Sequence, residues 1–321
     1  MEIGFVTDGL GFLPFAEMLE TIVSLGVTKL EIPCGPWSSA PHLKLDELVS
    51  SKGARDDYRD QVRAANADIV ALNCSGNQLA PGSEGERSEA VVRKTFALAE
   101  AWGIRKIVMT SGLPAAPGDK NPSWIVTSWP PAATEILSWQ WNEVVIPYWR
   151  ETVRRARDHG IECIALENCA FQIVYNVETL LRLRDAAGEM VGMNLDPSHM
   201  FWMGADPIEA ARTLSGAIHH VHAKDCRIER GIAGVNGVLD PKTAEHFARR
   251  AWNYVALGYG HGEQWWREFL VVVRMAGYDG VISIEQEDLT MPAIVGVQKA
   301  VSFLRSVLPD HLPQGDAAPR R

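Results

Sequence analysis

Residues 190–225 read MVGMNLDPSHMFWMGADPIEAARTLSGAIHHVHAKD. Two short apolar runs, 190–196 and 217–223, flank a helical segment that starts at Asp206-Pro207. Proline is favoured in the first turn of a helix, and short apolar runs that alternate with helices are typical of a parallel sheet. This stretch therefore predicts one strand–helix–strand unit.

The same alternation continues along the rest of the chain. Apolar runs that predict strands occupy 2–7, 28–32, 68–73, 105–110, 161–167, 190–196, 217–223 and 280–285. Eight strands, each followed by a helix, in about 300 residues is the count of a TIM barrel. We therefore predict an α/β fold with a single (β/α)8 TIM barrel at residues 1–308 and a flexible, Pro- and charge-rich tail at 309–321.

A doubly wound sheet is the alternative fold. Gly9 and Gly11 follow the first predicted strand and Glu31 ends the second, which loosely matches a dinucleotide-binding fingerprint. Pro14 stands at the third glycine position of that fingerprint, however, and glycine pairs after strands are common in α/β proteins. The barrel is therefore the preferred prediction.

Charge and composition disfavour several classes of protein. The 321 residues include 31 Lys+Arg and 40 Asp+Glu, and the net charge of −9 argues against a nucleic-acid partner. No stretch has the roughly 20 apolar residues that span a bilayer, and the first residues lack the pattern of a signal peptide. The five cysteines form no C-x-x-C pair. We therefore expect a cytoplasmic protein without a membrane partner.

Four successive predicted strands end in residues that can bind metal ions. The fifth to eighth strands end, in order, at Glu167, Asp196, His222 and Glu285. Barrel enzymes place their active sites at the carboxyl ends of the strands, so these side chains should meet at one rim. Three carboxylates and one imidazole suit Mn²⁺, with Mg²⁺ or Co²⁺ as alternatives. The sequence therefore predicts a site for one divalent metal ion.

Two predicted loops at this rim are too long to be simple turns. They cover 111–131 and 225–262, after the fourth and seventh strands. Several tryptophans follow the strands, where an indole can stack on a sugar ring or an aromatic group. The tryptophans expected at the mouth are Trp37, Trp124, Trp129, Trp202, Trp265 and Trp266. His261, in the second loop, is a candidate lid residue.

Four segments together resemble the xylose-isomerase-like TIM barrels. They are ENC at 167–169, NLDPSH at 194–199, HAKD at 222–225 with Arg227 beyond it, and GYDGVISIE at 277–285. This superfamily includes ketose 3-epimerases and many sugar phosphate isomerase/epimerase proteins. The resemblance implies that Glu167, Asp196, His222 and Glu285 bind the metal ion. It also implies that the two glutamates exchange protons with the substrate, and that His199 and Arg227 lie near substrate oxygens.

Two departures from the epimerase pattern leave the substrate open. The 225–262 loop is longer than the epimerase resemblance implies, and Cys169 stands where histidine is often found. These features also resemble a subgroup that removes sugars from 3-keto C-glycosides, in which the barrel pairs with a small subunit. The resemblance therefore implies an oligomer, either of this chain alone or with a small second subunit.

The predicted reaction is proton removal next to the carbonyl of a sugar or keto-sugar. A divalent ion can stabilise the resulting enediolate, and one glutamate can remove the proton while the other returns it. The predicted catalytic residues are therefore Glu167, Glu285, His199 and Lys224. Residues predicted to bind the sugar or glycoside are Arg227, Asn73, Glu31, Trp37, Trp202 and His261.

Three alternatives to an isomerase or epimerase stay open. A lyase that eliminates the aglycone from a 3-keto-glycoside would use the same metal site and a roomier, aromatic mouth. A non-catalytic sugar-binding subunit would fit only if the four ligand positions failed to converge. An abasic-site endonuclease would need several zinc ions, more histidine ligands and a basic face, which the negative net charge disfavours.

Overall fold

A closed barrel of parallel strands forms the centre of the computed structural model, which describes residues 1–309. In chain order the strands are β1 (Glu2–Val6), β2 (Lys29–Pro33), β3 (Asp68–Asn73), β4 (Lys106–Met109), β5 (Cys163–Glu167), β6 (Val191–Leu195), β7 (Ile218–Ala223), β8 (Asp225–Ile228), β9 (Trp252–Val255) and β10 (Val281–Ile284). All but β8 and β9 belong to the barrel, which closes where β1 pairs with β10. The predicted TIM barrel is confirmed. The doubly wound alternative is wrong because a closed sheet has no edge strands.

Helices surround the barrel. They are α1 (Phe15–Ser24), α2 (Leu45–Ser50), α3 (Lys52–Ala64), α4 (Ser83–Trp102), α5 (Pro131–Trp139), α6 (Ile146–Asp158), α7 (Val177–Ala187), α8 (Pro197–Met203), α9 (Pro207–Thr213), α10 (Arg230–Asn236), α11 (Glu263–Met275) and α12 (Ala293–Val307). The apolar spacing of α11 shows why these segments are helical. It buries Trp266, Phe269, Leu270 and Val273, which share one face of a helix.

Strand alternation decides which side chains enter the barrel. On β7, His220 and His222 are buried inside. His219 points outward, where its Nε2 lies 3.0 Å from the carbonyl oxygen of Glu189. Small or slender side chains, Ala71 and Ala165 among them, line the interior on other strands. The interior therefore has room for a polar cluster at one side of the barrel.

The long loop after β7 folds into a small unit of its own. β8 and β9 pair as an antiparallel sheet, and α10 lies between them in the chain. The fully buried Asp225, at the start of this unit, ties that start to the unit's own last residues. Its Oδ2 accepts hydrogen bonds from the backbone N–H groups of Gly258, Gly260 and His261 at 3.1, 3.0 and 2.9 Å. We call residues 225–262 the β7 insert.

Two further expectations concern the ends of the chain and membranes. The predicted tail, 309–321, lies outside the described residues apart from Pro309. Among residues 1–309, no helix has the length and apolar character needed to cross a bilayer.

We expect the substitution Asp225→Asn to destabilise the protein by about 3 kcal/mol, because an amide nitrogen would replace an acceptor oxygen that faces backbone donors. Urea unfolding measures the change. Asp68→Asn is the matched control: this exposed carboxylate pairs only with Lys29 at the surface, and its loss should cost about 0.5 kcal/mol. Equal unfolding midpoints for the two variants would contradict the anchoring role of Asp225.

Candidate metal centre and active site

Four side chains converge at the carboxyl ends of neighbouring barrel strands. Glu167 ends β5, Asp196 follows β6, His222 lies on β7 and Glu285 follows β10. One nitrogen or oxygen from each lies within 4.8 Å of the others. The cause is the parallel pairing of β5 with β6, β6 with β7 and β7 with β10. We call these four residues the candidate metal centre.

A buried carboxylate orients the ring of His222. Both oxygens of Glu31 lie 3.1 Å from His222 Nε2, so this nitrogen donates its proton to Glu31. His222 Nδ1 then faces Glu285 Oε2 at 3.0 Å and Glu167 Oε1 at 3.6 Å. Metal-binding histidines commonly donate a hydrogen bond from their second ring N–H to a carboxylate in this way. The arrangement presents Nδ1 to the candidate metal centre.

The residues present fit a divalent cation. Asp196 Oδ2 is buried and accepts no hydrogen bond within residues 1–309, and Glu285 Oε2 is buried next to His222 Nδ1 and Lys224 Nζ. Burial raises the pKa of Asp196 to about 6. Burial lowers the pKa of His222, but Glu31 and then Glu285 outweigh burial and raise it well above its ordinary value. Three carboxylates and one imidazole thus converge at one buried point, and a bound cation would satisfy the Asp196 oxygen that lacks a donor.

Glu31 is corrected from a predicted sugar-binding residue to a positioning residue. Its side chain is fully buried below the candidate metal centre rather than at the rim. Its oxygens contact His220 Nε2 at 2.8 Å and accept from Asn73 Nδ2 at 2.8 Å, besides the contacts with His222. Burial lowers the pKa of His220 to about 4, so this ring is neutral and donates to Glu31. Both carboxylate oxygens are thus engaged by side chains of other barrel strands.

His199 links the candidate metal centre to the β7 insert. Its Nε2 lies 3.3 Å from Glu167 Oε1, and its Nδ1 lies 2.9 Å from the hydroxyl of Tyr254 on β9. Burial raises the pKa of Glu167, but hydrogen bonds from His199 and His222 outweigh it and hold the pKa well below its ordinary value. Glu167 is therefore ionised, and Tyr254 fixes the ring beside it.

Lys224 is buried between two carboxylates. Its Nζ lies 3.3 Å from Glu285 Oε2 and 2.9 Å from Glu287 Oε2, and 4.3 Å from the centre of the Tyr254 ring. Burial lowers the pKa of Lys224, but Glu285 and Glu287 outweigh it and raise the pKa well above its ordinary value. Lys224 therefore carries its charge next to the candidate metal centre.

A cavity of about 470 Å³ opens above this centre. Glu167, His199, Lys224 and Glu285 line it, as does Asn73. Among the tryptophans expected at the mouth, Trp37 lines it as well. The volume lies within the range of small-molecule sites, about 300–1,000 Å³.

Three other predicted substrate residues lie outside the lining of this cavity. Arg227 pairs with Glu229 at 2.7 Å, and Trp202 stacks on Trp252 with ring centres 4.6 Å apart. His261 Nδ1 lies 2.8 Å from Asp225 Oδ1, so its ring braces the β7 insert. We therefore correct these three predictions: the side chains hold the insert together.

The predicted aromatic mouth is likewise mostly absent from the cavity lining. Trp266 is fully buried in the core, and Trp265 stacks on Phe269. Trp124 packs edge-on against Tyr175, and Trp129 is 74% exposed. Trp265 and Trp266 therefore pack within α11 and the core, and none of these four indoles is in the cavity lining.

Several lining residues were missed in the sequence, and three of them can ionise. Asp8 lies two residues after the end of β1, and burial raises its pKa. Glu287 stands two residues after Glu285 and pairs with Lys224. Both Asp8 and Glu287 are carboxylates just beyond a predicted strand end, and that position is the signal in the sequence that identifies them. Tyr254 had no such signal, because the folding of the β7 insert alone brings β9 to the cavity.

Comparison with known proteins agrees with this architecture. A family model described as Xylose isomerase-like TIM barrel matches residues 19–307. The chain belongs to this family. The uncharacterized protein YfiH of Bacillus subtilis (strain 168) is 51% identical over 311 residues, which cover 96% of this chain and 99% of that protein.

Solved structures share the fold of this xylose isomerase-like barrel at low sequence identity. The probable 3-DHS dehydratase AsbF from Bacillus anthracis has a TM-score of 0.67 and 16% identity, covering 95% of this chain and 99% of that one. The IOLI protein with a bound zinc atom has a TM-score of 0.64 and 17% identity, covering 96% and 99%. A D-tagatose 3-epimerase-like protein has a TM-score of 0.59 and 23% identity, covering 96% and 98%. These structures agree in fold, and the family-model match confirms the predicted family.

We expect protein purified without chelator to hold about one divalent ion per chain. Glu167→Gln and His222→Ala each remove a proposed ligand, so both variants should lose most of the ion in elemental analysis. His219→Ala is the matched control, because this histidine lies on the same strand but faces outward. Full occupancy in both ligand variants would contradict the site.

Glu31→Gln should weaken binding of the proposed ion by about 10- to 100-fold, because an amide accepts the His222 Nε2 proton less strongly than a carboxylate. Titration against a competing chelator measures the affinity. Ser283→Ala is the control: it removes a hydroxyl 3.0 Å from His220 Nε2 and should leave affinity unchanged. An unaltered affinity in Glu31→Gln would refute the positioning role.

Proposed function

We propose that this chain is an enzyme that isomerises or epimerises a sugar or keto-sugar by moving a proton next to a carbonyl. One observation carries the proposal: two carboxylates of the candidate metal centre, Glu167 and Glu285, also line the cavity. They approach it from β5 and β10, which are separated in the barrel by β6 and β7. A substrate between them therefore meets a carboxylate on each of two sides.

We propose Mn²⁺ as the ion, with Mg²⁺ or Co²⁺ as alternatives. Glu167, Asp196, His222 and Glu285 would hold it. When bound, the ion would polarise the carbonyl and stabilise the negative charge that develops as the proton leaves. The zinc atom of the IOLI structure supports a divalent ion in this kind of barrel, without favouring one metal.

The charges around the two glutamates suit proton transfer. Burial raises the pKa of Glu285, but Lys224 and then His222 outweigh it and lower the pKa below its ordinary value. Both glutamates are therefore ionised, and either can accept a proton from the substrate. His199 beside Glu167 and Lys224 beside Glu285 provide N–H donors for a developing oxyanion. Return of the proton to the opposite face gives epimerisation, and return to the neighbouring carbon gives isomerisation.

Two of the three alternative functions, the lyase and the non-catalytic subunit, receive less support from the structure. The lyase alternative relied on an aromatic mouth for the aglycone, and of the expected tryptophans Trp37 alone lines the cavity within residues 1–309. The non-catalytic alternative required that the four ligand positions stay apart, and they converge. An oligomer with or without a small second subunit stays a prediction from the resemblance.

Exchange of substrate hydrogen with heavy water tests the proposed reaction. We expect deuterium at the carbon next to the carbonyl in at least one member of a keto-sugar panel, measured by NMR spectroscopy. EDTA should stop the exchange and added Mn²⁺ should restore it.

Glu167→Gln and Glu285→Gln should each slow this exchange by about 10²- to 10⁴-fold, because each removes a proton-transfer group. Glu162→Gln is the control, since this exposed carboxylate precedes β5 at the opposite end of the strand and pairs with Arg105. Absence of exchange with every keto-sugar in the metal-loaded protein, or undiminished exchange in both active-site variants, would overturn the proposal.

A further inference from the structure

A second cavity adjoins the first. Its volume is about 350 Å³, and Tyr254, Gln286 and Glu287 line both cavities. Its remaining wall includes apolar side chains, Phe247 of the β7 insert and Leu289 of the loop after β10. A ligand larger than a monosaccharide could therefore extend from the candidate metal centre, past Tyr254, into this second cavity.

Arg250 lines the second cavity and is only 6% exposed. Its Nε is buried and has no hydrogen-bond acceptor. Within the described part of the chain, its guanidinium group makes no ion pair and no hydrogen bond. Its one ring contact is with Trp252, whose centre lies 4.2 Å from the guanidinium carbon. Within residues 1–309, Arg250 thus carries a buried charge that no carboxylate pairs with directly.

The nearby carboxylates do not neutralise Arg250. Glu287 lines the same cavity, but its Oε2 is paired with Lys224 Nζ at 2.9 Å. Glu245 is exposed, and its pKa is lowered first by the hydrogen bond from Thr243 and least by the charge of Arg250, with which it forms no ion pair in the described residues. By contrast, the half-buried Arg155 pairs with Glu89 at 2.5 Å. Arg155 thus has a directly paired carboxylate, whereas Arg250 has none in the described residues.

Physical chemistry favours an anionic ligand at this position. A buried charge is costly unless it is paired and hydrogen-bonded, and stacking on an indole offsets only part of that cost. The planar guanidinium group matches carboxylate and phosphate oxygens through two parallel hydrogen bonds. An oxyanion in the second cavity would supply the acceptors that Arg250 lacks.

We propose that Arg250 binds an oxyanion of the substrate, a carboxylate or a phosphate group, in the second cavity. The identification of that ligand as the substrate rests on the proposed function, because it requires the sugar carbonyl to lie at the candidate metal centre. The substrate class is then an acidic or phosphorylated keto-sugar, and Arg250 is a specificity-determining residue.

Isothermal titration with inorganic phosphate, and separately with acetate, tests the binding at an ionic strength held constant with chloride. We expect the metal-loaded protein to bind at least one of the two anions, and the anion that binds distinguishes the two sources. Arg250→Met keeps an apolar stem against Trp252 and should weaken that binding by at least about tenfold. Arg249→Met removes the same charge from the exposed neighbour and should bind like the parent protein.

Two further variants separate loss of anion binding from loss of folding. Arg250→Lys retains the charge if Arg250→Met fails to fold, and its point charge should bind the anion less tightly because it lacks the fork of donors. His219→Ala should keep the anion affinity, since this side chain faces outward from the barrel. Because no turnover is needed, failure here is distinguishable from failure of deuterium exchange. The proposal is overturned if the parent protein binds neither anion, or if Arg250→Met binds as the parent does.

Discussion

The contact between Glu31 and His222 inside the barrel is the constraint on which the candidate site depends. Glu31 is fully buried, and its two oxygens are shared among His222, His220 and Asn73. A buried carboxylate needs such donors, because burial without them is costly. Glu31 accepts the hydrogen bond from His222 Nε2. It thereby determines that Nδ1 is the nitrogen presented to the three carboxylates of the candidate metal centre.

The β7 insert adds a second level of organisation to the family barrel. Asp225, the first residue of the insert, accepts hydrogen bonds from three backbone N–H groups near the end of the insert. These bonds hold β8 and β9 in a defined position above the strand ends. β9 then places the Tyr254 hydroxyl on His199 and its ring over Lys224. The barrel strands thus supply the proposed metal ligands, whereas the insert shapes the space in which a substrate would lie.

Features that depend on neighbours in the sequence were predicted correctly, whereas roles that depend on distant parts of the chain were not. Strand positions, and the inward direction of His220 and His222, follow from alternation along a strand, which is local in the chain. The roles of Glu31, Trp202 and His261 depend on partners far away in the sequence, and there the predictions needed correction. Trp266 shows the same limit, because its loop position suggested the cavity whereas its helix face buried it in the core.

By itself, the sequence determined the barrel, its family and the order of Glu167, Asp196, His222 and Glu285 along successive strands. These follow from periodicity and from the rule that parallel strands bring their carboxyl ends together. Only the tertiary structure decided which nitrogen of His222 faces the carboxylates, that Tyr254 reaches His199, and that Arg250 is buried with no directly paired carboxylate among residues 1–309. The physical reason is that burial and electrostatic pairing depend on all the neighbours of a group in space, and most of those neighbours are distant in the chain.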